Sequence, residues 1–588
     1  MPLESSALLG HRPAKRPQPF WHLGAVLGAA VATALLGALV LLSRQPPAQD
    51  VDSSSRLSKP DVGRFLHITD FHVDPGYVEG STVYSQCHRR PPVHEMRRGD
   101  GHKQTGRYGI SQAKCDTPVA LVNATAAHLR AQWGSSLDYI VWTGDSGRHD
   151  GDARHPRTFE EILEGNRIAA SALRREFPGI PVVPNIGNND ISPHNELPEP
   201  GHRRARRTFQ ALAEEWHGMI PDDQLPTFRH GGYFARDVID YPPGSSRRGL
   251  TALSLNTIYW FRANDKVGGC RARDSPGLAQ LAWIRYQLRR AQRRRRDVVL
   301  LGHVLPNRDN YRPTCYHGYA RTVTQTAPAV EDDLATVHAQ LFGHSNVDVW
   351  AFVGHEAEWI ASHDPLLGKE GQVQNSSVDA RLWWERQVDE ESGRFGKLIR
   401  KVWAVADNGT DEDALDAMAD ERAWEDMEDD PPVSFAEHAD GSIWPTQAVG
   451  AAGLPSDFLD TLLKEFKRVV VQGSHHPRLG VTTISPSIIP RYVPAYRVFY
   501  YQRGTNGTQS TRPPGTLLDY DVYWADLPRL NKKQPSDLRH FFRRLYRFSD
   551  TYGLKDLSID SYLAWAEKIL TKRSIRRRFR DLTYLDTR

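Results

Sequence analysis

FLHITDFHVDPGY (residues 65–77) contains the apolar run FLHIT directly before Asp70 and His72. Apolar, β-branched and aromatic residues in such a run are typical of a buried strand, and the polar residues that follow mark its end. Asp70 and His72 are therefore predicted to lie on a loop at the carboxyl end of that strand. Carboxylate and imidazole groups are both good ligands for divalent metals.

Four further motifs repeat this arrangement. The runs LDYIVWT, IPVVPNI and DVVLL precede GD (144–145), GNND (187–190) and GH (302–303), and a fifth motif is GHSN (343–346). A single Asp-x-His or Gly-His pair means little, because a histidine near a strand end is more often structural. Five such motifs in a fixed order predict that their loops converge on one rim and bind metal.

In sequence, order and spacing the motifs resemble the calcineurin-like metallophosphoesterases, whose pattern runs D-x-H, G-D, G-N-H-D/E, G-H and G-H-x-H. Within that superfamily the chain is most similar to the fungal endopolyphosphatases, neighbours of the acid sphingomyelinases. The resemblance covers roughly residues 62–360 and 450–570. The closer match rests on residues 65–77, TGDSGRHD (143–150), IGNNDISPHN (186–195), FGHSNVDVW (342–350) and SPSIIPRYVPAYRVFYY (485–501).

The resemblance implies a mixed α/β fold, specifically a four-layer α/β/β/α sandwich with the metal site at the strand ends. Its core would span residues 62–365. Residues 117–133 and 159–177 have helical periodicity and lie between predicted strands, as crossover helices do. An acidic, partly disordered insertion (366–450) would follow the core, and after it a C-terminal extension (451–588) that packs on the core and ends in a basic tail.

The resemblance also implies two divalent metal ions, drawn from Mn, Mg, Co, Fe and Zn. Carried over position by position, one ion would be held by Asp70, His72 and a bridging Asp145. The other would be held by Asp145, Asn188, His303 and His344. A metal-activated water would then attack phosphorus, and no protein nucleophile is required.

Two asparagines replace histidines of the general pattern. Asn189 stands where the family has a catalytic histidine, and an amide cannot supply a proton near neutral pH. Condensed phosphate is a good leaving group, so the change fits a phosphoanhydride substrate, with His149 or His194 as a substitute donor. Asn346 stands where a metal ligand is expected; its carbonyl oxygen could bind a hard ion, or the first site could be weakened or vacant.

Basic residues near these motifs suggest an anionic substrate. Arginine pairs with phosphate oxygens through two parallel hydrogen bonds, although a solvated helix face is the ordinary explanation of such a cluster. The predicted substrate-binding residues are Arg148, Arg203, Arg204, Arg206 and Arg207.

The N-terminus predicts a membrane anchor. Residues 23–42 form a run of uncharged apolar residues long enough to span a bilayer, with a cleaved signal peptide or a core helix as alternatives. Positive charges precede the run, so residues 1–22 would be cytosolic and the rest lumenal, as in a single-pass type II protein. The segment 43–61 would be a flexible stalk open to a processing protease.

Sequons and cysteines agree with a lumenal location. Cys87 with Cys115, and Cys270 with Cys315, are the local pairs for disulfides in an oxidising compartment, and four buried free thiols are the alternative. The predicted glycosylation sites are Asn123, Asn375, Asn408 and Asn506.

Composition excludes other classes of protein. The chain has 588 residues, 39% of them hydrophobic, and a net charge of +4, which permits a large core and gives no indication of nucleic acid binding. The sequence thus predicts an enzyme of the vacuole membrane that cleaves internal bonds of inorganic polyphosphate. A sphingomyelinase-like phosphodiesterase and a membrane-tethered polyanion-binding protein on a decayed phosphoesterase scaffold are the alternatives. The sequence does not fix the oligomeric state.

Overall fold

The computed structural model describes residues 61–90, 105–272, 274–324, 334–343, 346–354, 456–472, 479–503 and 512–586. All of them belong to one unit, Pro60–Arg588. Among the helices in these ranges, none has the length and apolar character needed to cross a membrane. The predictions that lie outside the described residues concern residues 1–60, the insertion 366–450, His344, Asn375, Asn408 and Asn506.

The fold is mixed α/β, as the sequence predicts. The described strands are β1 Val62–Ile68, β2 Val73–Asp74, β3 Thr117–Pro118, β4 Tyr139–Trp142, β5 Val182–Pro184, β6 Phe234–Asp240, β7 Gly249–Ser254, β8 Arg296–Leu301, β9 Val337–Phe342, β10 Val349–Gly354, β11 Leu479–Ile484, β12 Ala495–Gln502, β13 Leu517–Trp524 and β14 Arg543–Arg547. The described helices are α1 Val119–Trp133, α2 Phe159–Glu176, α3 Arg203–Glu215, α4 Leu225–Gly231, α5 Pro276–Arg293, α6 Pro313–Thr324, α7 Ser456–Gln472, α8 Leu527–Lys532, α9 Phe548–Tyr552, α10 Ile559–Thr571 and α11 Arg573–Thr583.

The first six-stranded sheet has the order β14-β13-β12-β1-β4-β5. Strands β1, β4 and β5 are parallel, and β12 to β14 continue the sheet in antiparallel fashion. On the central strand the Phe65 ring stacks on Tyr139 and Phe499, with ring centroids 4.7 and 4.9 Å apart. Such cross-strand aromatic pairs help to fix the register of the sheet.

The second six-stranded sheet has the order β10-β11-β9-β8-β7-β6. Strands β7, β8, β9 and β11 are parallel, while β6 and β10 pair antiparallel to their neighbours. Every residue of β8 is buried, and the four residues from Val298 to Leu301 are all apolar, as expected of a parallel strand covered on both faces. Helix α5 packs on β8, and helices α6 and α7 pack on β10.

The two sheets contact each other at the carboxyl ends of β5 and β7. Asn185, just after β5, donates through Nδ2 to Ser254 Oγ at 2.9 Å and to Leu255 O at 2.7 Å, both at the end of β7. The loops that follow β1, β4, β5 and β8 therefore share one rim, where the sequence motifs were predicted to converge.

The crossover helices predicted at 117–133 and 159–177 are confirmed, as α1 and α2. Helix α2 begins with a capping box, in which the Thr158 hydroxyl accepts from the backbone of Glu161 and the Glu161 carboxylate accepts from the backbone of Thr158. Helix α1 begins two residues later than expected, because Thr117 and Pro118 pair with Val73 and Asp74 as a short parallel bridge.

The C-terminal segment requires a correction. The sequence predicts an extension packed on the core, but β11 lies inside the second sheet, between β10 and β9. Strands β12 to β14 make up half of the first sheet. The segment 479–547 is thus part of the core, which local sequence patterns could not show because strand pairing is non-local.

The four cysteines form two disulfides. Cys87 is bonded to Cys115 and Cys270 to Cys315, with Cα atoms 5.6 and 4.9 Å apart. Asn123, the sequon within the described residues, lies on α1 and its side chain is exposed.

Candidate metal centre

The loops after β1 and β4 carry three residues in left-handed backbone conformations. Asp70, His72 and Asp145 have φ angles of 51°, 38° and 57°. Such φ values are uncommon for residues other than glycine and cluster at functional sites. The loops are held together by backbone bonds from Asp70 N to Gly144 O at 3.0 Å and from His72 N to Asp145 O at 2.9 Å.

Asp145 lies at the centre of the site. Its Oδ2 is 3.4 Å from His72 Nε2 and 3.3 Å from His303 Nε2. Asp70 Oδ1 is also 3.4 Å from His72 Nε2, and the ligand atoms of Asp70, His72 and Asp145 all lie within 4.8 Å of one another. These side chains are almost completely buried. The predicted bridging carboxylate therefore faces ligands of both predicted metal ions.

Backbone carbonyls orient the two histidines. His72 Nδ1 lies 3.0 Å from Gly147 O, and His303 Nδ1 lies 2.8 Å from Thr143 O. A carbonyl can only accept, so each Nδ1 carries the hydrogen and donates it. In the neutral ring this leaves an Nε2 lone pair facing the carboxylates, as in histidines that bind metal.

Asn188 presents its carbonyl oxygen to the same point. Its Nδ2 donates to His194 Nε2 at 2.6 Å and to Asn195 Oδ1 at 2.9 Å, which fixes the orientation of the amide. Asn188 Oδ1 then lies 2.8 Å from His303 Nε2. The groups that the structure brings together are two carboxylates, two imidazoles and an amide oxygen, all of which can act as electron-pair donors to a metal ion.

This donor set fits divalent cations, because the groups that face one another would repel unless a positive charge lay between them. Burial opposes protonation of His303, but the Asp145 carboxylate outweighs burial and raises the pKa of His303 to about 9. The site thus attracts positive charge. Asn346, with a φ of 54°, binds the Ser487 hydroxyl through Oδ1, and its predicted role as a ligand stays a prediction.

Asn189 holds both oxygens of the Asp145 carboxylate. Its backbone N donates to Asp145 Oδ1 at 2.7 Å and its Nδ2 donates to Asp145 Oδ2 at 2.8 Å. Arg157 in turn donates through Nη1 to Asn189 O at 2.9 Å and to Asn189 Oδ1 at 3.2 Å. Arg157 was not predicted, because it lies in a loop without a motif of its own.

Asp190 is a second residue for which the sequence motifs predicted no role. Its carboxylate accepts from the backbone N–H groups of Asp145, Ser146 and Gly147 at 2.8 to 3.1 Å. It also accepts from Gly187 N at 2.8 Å. Its position as the acidic end of GNND was the available signal. Asp190 thus joins the loop that bears Asp145 to the loop that bears Asn188.

Gly187 allows those two loops to approach closely. A Cβ placed on Gly187 would lie 2.0 Å from Asp145 Oδ1, which no side chain can tolerate. The glycine before Asn188 is therefore a requirement of the site's geometry.

The two histidines predicted as proton donors lie on either side of the centre. The His149 ring stacks on His72 with centroids 4.2 Å apart, and its Nδ1 is 2.7 Å from Asp116 Oδ1. Burial, together with nearby positive groups, lowers the pKa of His149 to about 4, although Asp116 opposes the shift. His194 is exposed and accepts from Asn188. For both His149 and His194 the role as proton donor stays a prediction.

The predicted substrate-binding arginines differ in their surroundings. The Arg148 side chain is 1% exposed and pairs with Glu161, with Nη2 to Oε2 at 3.1 Å, which favours a role in positioning the loop. Arg207 pairs with Glu160 at 3.0 Å and lies over the Phe159 ring. Arg203 and Arg206 are exposed on the first turn of α3, and Arg204 is half-buried there.

Comparison with known proteins points to one group. The chain is 37% identical over 321 residues to an endopolyphosphatase of Cryptococcus neoformans, a match that covers 50% of this chain and 44% of the relative. It is 29% identical over 540 residues to an endopolyphosphatase of Neurospora crassa, covering 88% of this chain and 62% of the relative. The chain resembles the fungal endopolyphosphatases.

A third such relative, from Saccharomyces cerevisiae, is 33% identical over 296 residues, covering 49% of this chain and 40% of the relative. The chain thus spans between 40% and 62% of the length of these curated relatives. No protein family model matches the chain.

Proposed function

We propose that the chain is a metal-dependent endopolyphosphatase, which hydrolyses internal phosphoanhydride bonds of inorganic polyphosphate. The observation that carries the proposal is the convergence of Asp70, His72, Asp145, Asn188 and His303 on one buried point, in a chain that resembles the fungal endopolyphosphatases. Those relatives are named for this activity.

We also infer the finer architecture, a four-layer α/β/β/α sandwich. The contact between Asn185 and Ser254 supports the face-to-face arrangement of the two sheets. The packing of α5 on β8 and of α6 on β10 supports an outer helical layer on the second sheet.

Two divalent ions are proposed as cofactors. Asp70, His72 and Asp145 would hold one, and Asp145, Asn188 and His303 the other, with His344 and Asn346 as the further predicted ligands. When bound, such ions lower the pKa of a coordinated water and neutralise charge on phosphoryl oxygens.

The chain's own residues would position these ligands and limit proton transfer. Asn189 donates to both oxygens of Asp145 and so fixes the direction of the bridging carboxylate. The Asn189 amide cannot supply a proton to a leaving group near neutral pH. A leaving phosphate chain is stable as an anion and can depart without a proton, whereas an alkoxide cannot. The site therefore favours a phosphoanhydride over an alkyl ester.

The proposed location is the vacuole membrane, with the enzyme on the lumenal side of a type II anchor at 23–42. Two disulfides support an oxidising compartment. The exposed Asn123 sequon is accessible to glycosylation, and the charge pattern around the apolar run supports the orientation.

The test is an assay of the full chain with Mn²⁺ or Mg²⁺ on long-chain polyphosphate, with product lengths resolved on a gel and sphingomyelin hydrolysis run alongside. Chains of intermediate length, absent with Asp145→Asn, would support the proposal. Head-group release from the lipid without polyphosphate cleavage would assign the chain to the sphingomyelinase-like branch. Inactivity on both substrates would favour the binding-protein alternative.

A further inference from the structure

The loop after β11 is bonded directly to the metal-site loop after β1. Ile488 N donates to Thr69 O at 3.2 Å, and Ile489 N donates to Asp70 O at 2.9 Å. The C-terminal half of the chain therefore reaches the rim of the candidate centre. Two residues further along lies Arg491, to which neither the motifs nor the proposed function assigns a role.

The Arg491 guanidinium lies beside His149. Its Nη2 is 3.2 Å from His149 Nδ1 and 3.8 Å from Asp116 Oδ1, and its Nη1 is 3.5 Å from Ala113 O. The Asp116 carboxylate accepts its shorter hydrogen bonds from His149, at 2.7 Å from the ring and 2.8 Å from the backbone. Asp116 is thus bound mainly to His149, and Arg491 forms only a long ion pair with it.

Two partly exposed side chains, His149 and Arg491, lie beside the buried metal ligand His72 on this side of the site. His72 is 2% exposed, His149 stacks on it and is 34% exposed, and Arg491 next to His149 is 17% exposed. A group bound against His149 and Arg491 would therefore be close to the metal ligands and still accessible from solvent.

We propose that Arg491, supported by His149, forms a subsite for the phosphate group next to the one that is attacked. This inference rests on the proposed function, because a polyphosphate chain places an anionic phosphate on each side of the cleaved bond. The planar guanidinium can bind two phosphate oxygens through parallel hydrogen bonds, a fixed geometry that a lysine ammonium does not provide. Asp116 would act as a positioning residue that holds His149 against His72.

The test compares Arg491→Gln and Arg491→Lys with the unchanged full chain, supplied with Mn²⁺ or Mg²⁺, in steady-state kinetics on long-chain polyphosphate. Arg491→Gln should raise KM about 10- to 100-fold, as expected for loss of one hydrogen-bonded phosphate contact, and should change kcat by less than about 3-fold. Arg491→Lys keeps the positive charge but lacks the planar guanidinium, so its KM should lie between those of the unchanged chain and Arg491→Gln. Arg539→Gln is the matched control, since Arg539 is 61% exposed and pairs with Asp537.

The outcomes separate this inference from the proposed function. Polyphosphate left intact by the unchanged chain would overturn the proposed function and this inference with it. Cleavage by the unchanged chain with the same KM in Arg491→Gln would overturn the inference alone. If Arg491→Lys and Arg491→Gln were equally impaired in kcat and both melted at lower temperature, Arg491 would have a structural role and the subsite would be rejected.

Discussion

Asn189 donates through its side-chain amide to Asp145 Oδ2 at 2.8 Å, while its backbone N donates to Asp145 Oδ1 at 2.7 Å. Both oxygens of the central carboxylate are thereby held from one residue. Asn189 thus has a structural role, since it sets the angle at which the Asp145 carboxylate faces His72 and His303.

Replacing Asn189 with Leu removes the side-chain donor and retains similar volume. Loss of a hydrogen bond to a charged group should lower kcat/KM on polyphosphate by about 10- to 100-fold. Steady-state kinetics measure the effect, with a thermal melt to show that the variant folds. Activity equal to that of the unchanged chain would show that the backbone bond alone orients Asp145.

Asp190→Asn should destabilise the protein. The amide places an N–H₂ group among backbone N–H donors that now bind a buried carboxylate, so we expect a loss of about 3 kcal/mol in the free energy of unfolding. Denaturant unfolding measures the loss. Asp265→Asn is the control, because Asp265 is 72% exposed and its pairing with Lys266 should contribute less than about 1 kcal/mol. Equal stability of the two variants would contradict the role given to Asp190.

Gly187→Ala should disrupt the metal centre, since the added Cβ would lie 2.0 Å from Asp145 Oδ1. We expect the affinity for Mn²⁺ to fall by about 10-fold or more, as measured by calorimetry, because a shift of about 1 Å in a ligand spoils its geometry. Gly201→Ala is the matched control, since no atom lies within 4 Å of its Cβ position. Unchanged Mn²⁺ affinity in Gly187→Ala would mean that Asp145 is not a ligand.

The buried His128 should make the folded protein less stable in acid. Burial lowers its pKa to about 4, although the Leu538 carbonyl opposes the shift. The ring is hydrogen-bonded through Nδ1 to Leu538 O and through Nε2 to the Tyr496 hydroxyl. The unfolded chain binds the proton more readily, so this stability is present above pH 6.5 and is lost as the pH falls through 6.5 towards 4. Between pH 7 and pH 5 the loss should be about 2 kcal/mol.

Thermal or denaturant unfolding at pH 7 and pH 5 measures this effect. In His128→Gln the difference between the two pH values should shrink by that amount, whereas His540→Gln, at a side chain 73% exposed, should leave it unchanged. An equal pH dependence in His128→Gln and the unchanged chain would assign the acid sensitivity to other groups.

The parts of the structure that could be predicted from the sequence are those that depend on neighbouring residues in the chain. Apolar runs located β1, β4, β5 and β8, and the polar residues after them located the loops of Asp70, Asp145, Asn188 and His303. The reason is that a buried parallel strand needs an apolar sequence, and its carboxyl end is where the chain returns to polar residues.

The remaining parts depend on contacts between distant residues. Arg157 contacts Asn189 across 32 residues of sequence, and Arg491 contacts His149 across 342. The pairing of β11 with β9, and of β12 with β1, joins segments separated by more than a hundred residues, for which hydrophobic periodicity contains no information.

The position of β11 and β12 bears on the biogenesis of the protein. Phe65, near the start of the folded unit, is paired with Phe499, and the loop that bears Asp70 is bonded to Ile489. Ordering such distant partners carries a high entropic cost, which slows folding. A nascent chain that ends before Leu479 therefore has every motif of the candidate centre in its sequence but lacks β11 and β12. Activity should appear only once β11 and β12 have been synthesised and paired with their neighbours.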